Sequence, residues 1–107
     1  MAQDFKRYKS AAVGATPVVL HTANTNDTII GISVSNILGS TILVDVYLTN
    51  SGNFHLVKSA PIPSGGSLQV LAGGAKVVMQ SGDALTVKSD TASSADVWIS
   101  AVDDISS

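Results

Sequence analysis

Period-two alternation runs through most of this chain, and that period sends successive side chains to opposite faces of an extended backbone. In TILVDVYLT, residues 41–49, Ile42, Val44, Val46 and Leu48 share one face while Leu43, Asp45 and Tyr47 take the other. In TIIGISVSN, residues 28–36, Ile30, Ile32 and Val34 point one way and Gly31 and Ser33 the other. Strands of this kind are apolar on one side only, so they need a second layer to cover that side. These two are expected to pair as an antiparallel hairpin across Asn36 to Ser40 (NILGS), where Gly39 can take a positive φ.

The same pattern marks six further strands: TPVVLHT (16–22), FHLVKSA (54–60), SLQVL (67–71), KVVMQ (76–80), ALTVKSD (84–90) and ADVWISAV (95–102). Turn-rich pieces such as TNDT, TNSGN, PIPSGG, AGG, SGD and TASS separate them. About eight short antiparallel strands, with no substantial helix, predict an all-β sandwich of the jelly-roll or immunoglobulin-like kind. With 107 residues and no composition break, residues 1–107 form one domain. Residues 1–12 read either as an extended N-terminal arm or as a short helix in which Asp4 caps Phe5 and Tyr8.

GGSLQVLAGGAKVVMQSGDALTV, residues 65–87, holds the clustered glycines. A phosphate loop needs GxxxxGK[ST] leading into a helix, whose N-terminal N–H groups complete the anion site. Here Gly73-Gly74 and Gly82-Asp83 lead into β-prone runs, so these glycines are read as turns between strands. Proline at 61 and 63 suits a sheet edge or a bridge between sheets, because proline donates nothing to an interior ladder.

No catalytic constellation emerges. His21 and His55 have no HxH or HxxxH partner and are read as half-buried or surface side chains rather than metal ligands. There is no GxSxG elbow, which argues against a hydrolase. Asp103 and Asp104 are adjacent, and in a strand they would face apart, unlike a paired-carboxylate site. Asn26-Asp27-Thr28 matches a glycosylation pattern, but MAQDFKRYKS lacks the apolar centre of a secretory signal. Cysteine is absent, so no disulfide or thiolate site exists. The expectation is a non-enzyme with no cofactor and no metal.

Charge is the informative part of the composition. Asp, Glu, Lys and Arg make up 13% of the chain, about half the usual share, and glutamate is missing altogether. A mean hydropathy of +0.34 and a net charge of -2 leave little repulsion between copies, so part of the surface is expected to be covered in a homo-oligomer. The pI near 5.3 argues against a nucleic-acid footprint, and no apolar run is long enough to cross a membrane. Lys6, Arg7 and Lys9 around Tyr8 form the one basic cluster, read as an arm for a neighbouring subunit or as a solvated end. Leu43 and Tyr47, with Trp98, are the expected contact residues on the strand faces, and Lys6, Arg7 and Tyr8 those of the arm. A carbohydrate- or host-surface-binding sandwich that stacks sugars on Trp98 is the rival expectation.

The order FKRYKSAAVG, VVLHTANTNDTIIGISVSN, ILVDVYLTNSGNFHLVKSAPIPSGGSLQVL, KVVMQSGDALTVKS and ADVWISAV, from Phe5 to Val102, resembles a family of small virion structural proteins of tailed bacteriophages, notably phages of marine cyanobacteria. The likeness is one of pattern and order and includes no reactive motif. It implies a self-associating β-sandwich in the virion, made in the host cytoplasm and placed on capsid, neck or tail. Its partners would be copies of itself and other virion proteins.

Overall fold

The computed structural model describes residues 4–23, 26–71 and 76–105. Among these are nine strands: β1 (Asp4–Val13), β2 (Val18–Thr22), β3 (Asn26–Asn36), β4 (Ile42–Thr49), β5 (Asn53–Ile62), β6 (Ser67–Gln69), β7 (Val77–Met79), β8 (Ala84–Ser89) and β9 (Ala95–Ile105). All pairings are antiparallel. One sheet has the order β1-β9-β3-β6, with β7 also on β3; the other runs β2-β8-β4-β5. Since β6 pairs with residues 33–35 of β3 and β7 with residues 27–29, the two short strands act as one interrupted edge strand. That connectivity is a jelly roll, which decides between the two sandwich types expected from the sequence.

The core lies between the sheets and is built by the alternation. From β3 come Ile29, Ile32 and Val34, from β4 Ile42, Val44 and Val46, from β8 Leu85 and Val87, and from β9 Val97, Ile99 and Ala101, all buried. Two inward sets of branched side chains interdigitate, which is how packed sheets satisfy each other. Every buried side-chain nitrogen and oxygen among the described residues has a hydrogen-bond partner, as a stable interior requires.

The expected hairpin between residues 28–36 and 41–49 does not form. β3 belongs to one sheet and β4 to the other. The NILGS segment is a corner, and Asn36 fixes it: its Nδ2 donates to the carbonyls of Ser40 (2.7 Å) and Ile62 (2.9 Å), and its Oδ1 accepts from Leu38 N–H (2.8 Å). A strand with one apolar face can be covered by a neighbour across the core as well as beside it, so periodicity alone did not separate the two arrangements. The hairpin that exists is β4–β5, turning at Asn50 to Gly52.

A second departure is Ile30, expected inward but 40% exposed. A bulge between Ile29 and Gly31 inserts one residue against β9, so inward facing passes from Ile29 to Ile32 and Ile30 turns outward. The glycine turns fall as expected where they are described: Gly65 (φ 70°) lies in the turn closed by Gly66 N–H to Pro63 carbonyl (2.9 Å), and Gly82 (φ 95°) in the one closed by Asp83 N–H to Gln80 carbonyl (3.0 Å). The first carries the chain from β5 to β6, so PIPSGG bridges the sheets. Gly73 and Gly74 lie outside the described residues.

The N-terminal segment is neither a helix nor a free arm. β1 pairs with β9 from Asp4↔Asp103 to Val13↔Ala95 as the outermost strand of its sheet. β9 also continues past Val102, where the sequence pattern ended it, and Ile105 pairs with Asn26.

Candidate functional site

With the inner faces spent on the core, any contact or binding surface must be built on the outer faces, the edges or the loops. The outer face of the five-stranded sheet follows from its register. Lys9, Trp98, Ser33 and Gln69 form one transverse row across four strands. Arg7, Ser100 and Gly31 form the next, and Phe5, Val102, Thr28 and Val78 the one after. Val97 and Ile99 are buried, so Trp98 points outward and is 49% exposed. The Arg7 guanidinium lies 5.3 Å from the centre of its ring, a cation–π contact worth about 0.5–1 kcal/mol at an exposed site. Phe5 and Val78 are more exposed still. With the outward Ile30, this face is therefore apolar at four points, cationic along β1, and small and hydroxylic between.

The six expected contact residues do not converge. Arg7 and Trp98 meet, as described. Lys6 is exposed on the same strand, but its parity is opposite to that of Arg7. Tyr8 faces inward at the sandwich edge, where its ring stacks on His21 with centroids 4.1 Å apart. Leu43 is exposed on the other sheet, beyond the core from Trp98. Tyr47 is only 8% exposed, so its own chain already covers it; its ring lies 4.8 Å from that of His55, tilted by 35°. Tyr47 thus has little area to offer a partner, a correction to its reading as an outward contact.

His21 does more than sit half-buried. Its Nε2 lies 2.6 Å from Oδ2 of Asp27, which is wholly buried. The pair ties β2 of one sheet to β3 of the other beneath Tyr8. Only the NDT match drew attention to Asp27 in the sequence, and it carried no signal of burial. No three His or Asp side chains group together among the described residues, so this dyad stands apart from any metal-type cluster.

The outer face of the four-stranded sheet holds a cleft of about 270 Å³ lined by Ala15, Leu43, Asp45, Lys58, Ser59, Lys88, Ser89 and Asp90. It owes its form to an irregularity in the β4–β5 pairing: Val44 pairs with Ala60 and Val46 with Val57, which leaves Lys58 and Ser59 together opposite Asp45. Ser59 takes φ 52° there, and its N–H donates to Asp45 Oδ1 at 2.6 Å. Across the cleft, Asp90 Oδ1 accepts from Leu43 N–H (3.0 Å) and from the Thr91 hydroxyl (2.9 Å). Those two bonds, the first the larger, hold the Asp90 carboxyl below its ordinary pKa. Nothing in the sequence announced this cleft, because a bulge is not visible in alternation.

Fold and surface together define a jelly-roll sandwich whose outer faces are sparsely charged and carry separate apolar side chains. Comparison with protein-family models, curated proteins and solved structures finds no match to this chain.

Proposed function

We propose that this chain is a non-enzymatic structural protein of a phage virion, a capsid decoration, neck or tail component that acts by protein–protein assembly as a homo-oligomer. The observation that carries the reading is the outer face of the five-stranded sheet, where Phe5, Trp98, Val78 and Ile30 stand exposed around the cationic side chains of Arg7 and Lys9. Apolar side chains spread over a sheet face, in a chain whose net charge is only -2, are suited to being covered. The jelly roll adds only an analogy of fold, since viral capsid domains and lectins both use it. The resemblance in strand order to small phage virion proteins supplies the setting.

Assembly also asks less of this face than sugar stacking does. A sugar stacked on Trp98 competes with Arg7, whose guanidinium already lies over the ring. A protein partner can pack around that pair as it stands.

The test joins two measurements. Light scattering of the purified chain is expected to give a mass of several copies that falls in Trp98→Ala and Phe5→Ser, and mass spectrometry of purified virions is expected to find the chain in the particle. A monomer at high concentration, with no trace of the chain in virions, overturns the proposal.

A further inference from the structure

We infer that the cleft between Leu43, Asp45, Lys58, Lys88 and Asp90 is a binding site for an acidic saccharide, a sugar ring carrying a carboxylate. The inference is independent of assembly, because the cleft lies on the sheet opposite to the Trp98 face.

Four observations converge on it. First, Lys58 and Lys88 line the same concavity, yet neither has an ion-pair partner among the described residues. Second, the two carboxylates that share the cleft are turned to the backbone, Asp45 onto Ser59 N–H and Asp90 onto Leu43 N–H. Each makes that bond through Oδ1, which leaves Oδ2 turned to no donor of a neighbouring residue among those described. Third, Ser59 holds a left-handed backbone conformation without being glycine, at a bulge. Strain of that kind gathers where a side chain is being aimed, and this bulge places Lys58 at the cleft. Fourth, Leu43 and Ala15 give the wall an apolar part.

The ligand class follows from satisfying all of these groups together. Two cations without partners call for an anionic oxygen, which ammonium groups bind by charge-assisted hydrogen bonds. A bare anion meets the lysines but offers no donor to Asp45 and Asp90, so their repulsion stands uncompensated. A small zwitterion balances the charges but is too short to cover the apolar Leu43 and Ala15 wall as well. A ring with one carboxylate and several hydroxyls answers each demand: its carboxylate lies against the lysines, its hydroxyls donate to the spare carboxylate oxygens, and its C–H face rests on Leu43. The cleft volume, about 270 Å³, lies just below the range of about 300–1,000 Å³ usual for ligand pockets, which suits one sugar unit.

The test is a titration of the full chain with glucuronate, followed by amide chemical shifts, with glucose, acetate and β-alanine in parallel. The expected result is saturable shifts at Leu43, Ser59 and Asp90 with Kd about 1 mM, and at least about tenfold weaker binding of the three comparison ligands. Lys58→Gln with Lys88→Gln is expected to weaken glucuronate by about a hundredfold or more, out of the measurable range, from the loss of two charge-assisted bonds. Lys9→Gln, on the opposite sheet, is expected to leave it unchanged. Absence of shifts at the cleft overturns the inference. So does acetate, glucose or β-alanine binding as tightly as glucuronate, or an equal loss in Lys9→Gln. Self-association of the Lys58→Gln, Lys88→Gln variant, followed by light scattering, is expected to stay at the level of the parent chain, so a failure of the cleft is separable from a failure of assembly.

Discussion

Replacing Asn36 by alanine tests whether one buried amide fixes the corner at which the chain leaves one sheet for the other. Asn36 is 3% exposed and its side chain makes three hydrogen bonds, to Ser40, Ile62 and Leu38. Each is worth about 1 kcal/mol net, and a buried carbonyl or amide left without a partner costs roughly 1–3 kcal/mol. The expected loss is therefore about 3 kcal/mol, a large part of the roughly 5–15 kcal/mol that holds a domain of this size together. In a chain near 100 residues, that corresponds to a fall in Tm of about 12–24 °C.

Urea unfolding at neutral pH measures this loss. The midpoint should drop while the slope stays constant, since the surface exposed on unfolding is unchanged. Asn36→Asp discriminates further, because it retains the acceptor for Leu38 N–H but sets a carboxylate oxygen against the carbonyls of Ser40 and Ile62. It should be at least as damaging as alanine. A loss below about 1 kcal/mol in Asn36→Ala, or an aspartate variant as stable as the parent chain, would show that the amide does not hold the corner.

Asp27→Ala removes the hydrogen bond that joins His21 to the other sheet, and leaving a buried polar group without its partner costs about 1–3 kcal/mol; calorimetry of the variant checks it, and an unchanged melting curve contradicts the clamp. Stability should also fall in acid. Asp83, held low by the Asn50 amide and then by Gln80 N–H, and Asp90, held low by Leu43 N–H, both have folded pKa values beneath their unfolded ones. Their contribution is complete above the ordinary carboxylate pKa of about 3.9 and is lost as pH drops through the folded values, so the urea midpoint should fall between about pH 5 and pH 2. Asp83→Asn with Asp90→Asn should flatten that slope, and an identical slope refutes the assignment. Trp98→Ala should lower the self-associated mass while moving Tm by less than about 4 °C, because the ring lies outside the core; a collapse of the fold would mean the ring is structural.

The sequence revealed the inner faces far better than the outer ones, and the reason is physical. Burial selects residue type at every second position, so Val44, Val46, Val97 and Ile99 announce themselves by alternation. The jelly-roll connectivity was less legible, because Ile32 and Val44 look the same whether their strands lie side by side or face each other across the core. What separates those cases is Asn36, a single polar residue whose three bonds exist only in the folded corner.

The surface is harder still, since an outward side chain obeys no period. The sequence left Trp98 either in the core or at a contact, and it is the burial of Val97 and Ile99 that turns it outward, whereas the outward reading of Tyr47 ignored that the side chains beside a large ring can bury it on the outer face. Bulges erase the pattern altogether. One extra residue at Ile30 moves an apolar side chain into solvent, and one extra residue opposite Asp45, where Lys58 and Ser59 share a single partner, makes a cleft where a strict ladder would have left a flat sheet. Both irregularities break the rule that lets the fold be read, and both change an outer face: Ile30 adds to the face proposed for assembly, and Lys58 lines the cleft across Asp45 from Lys88.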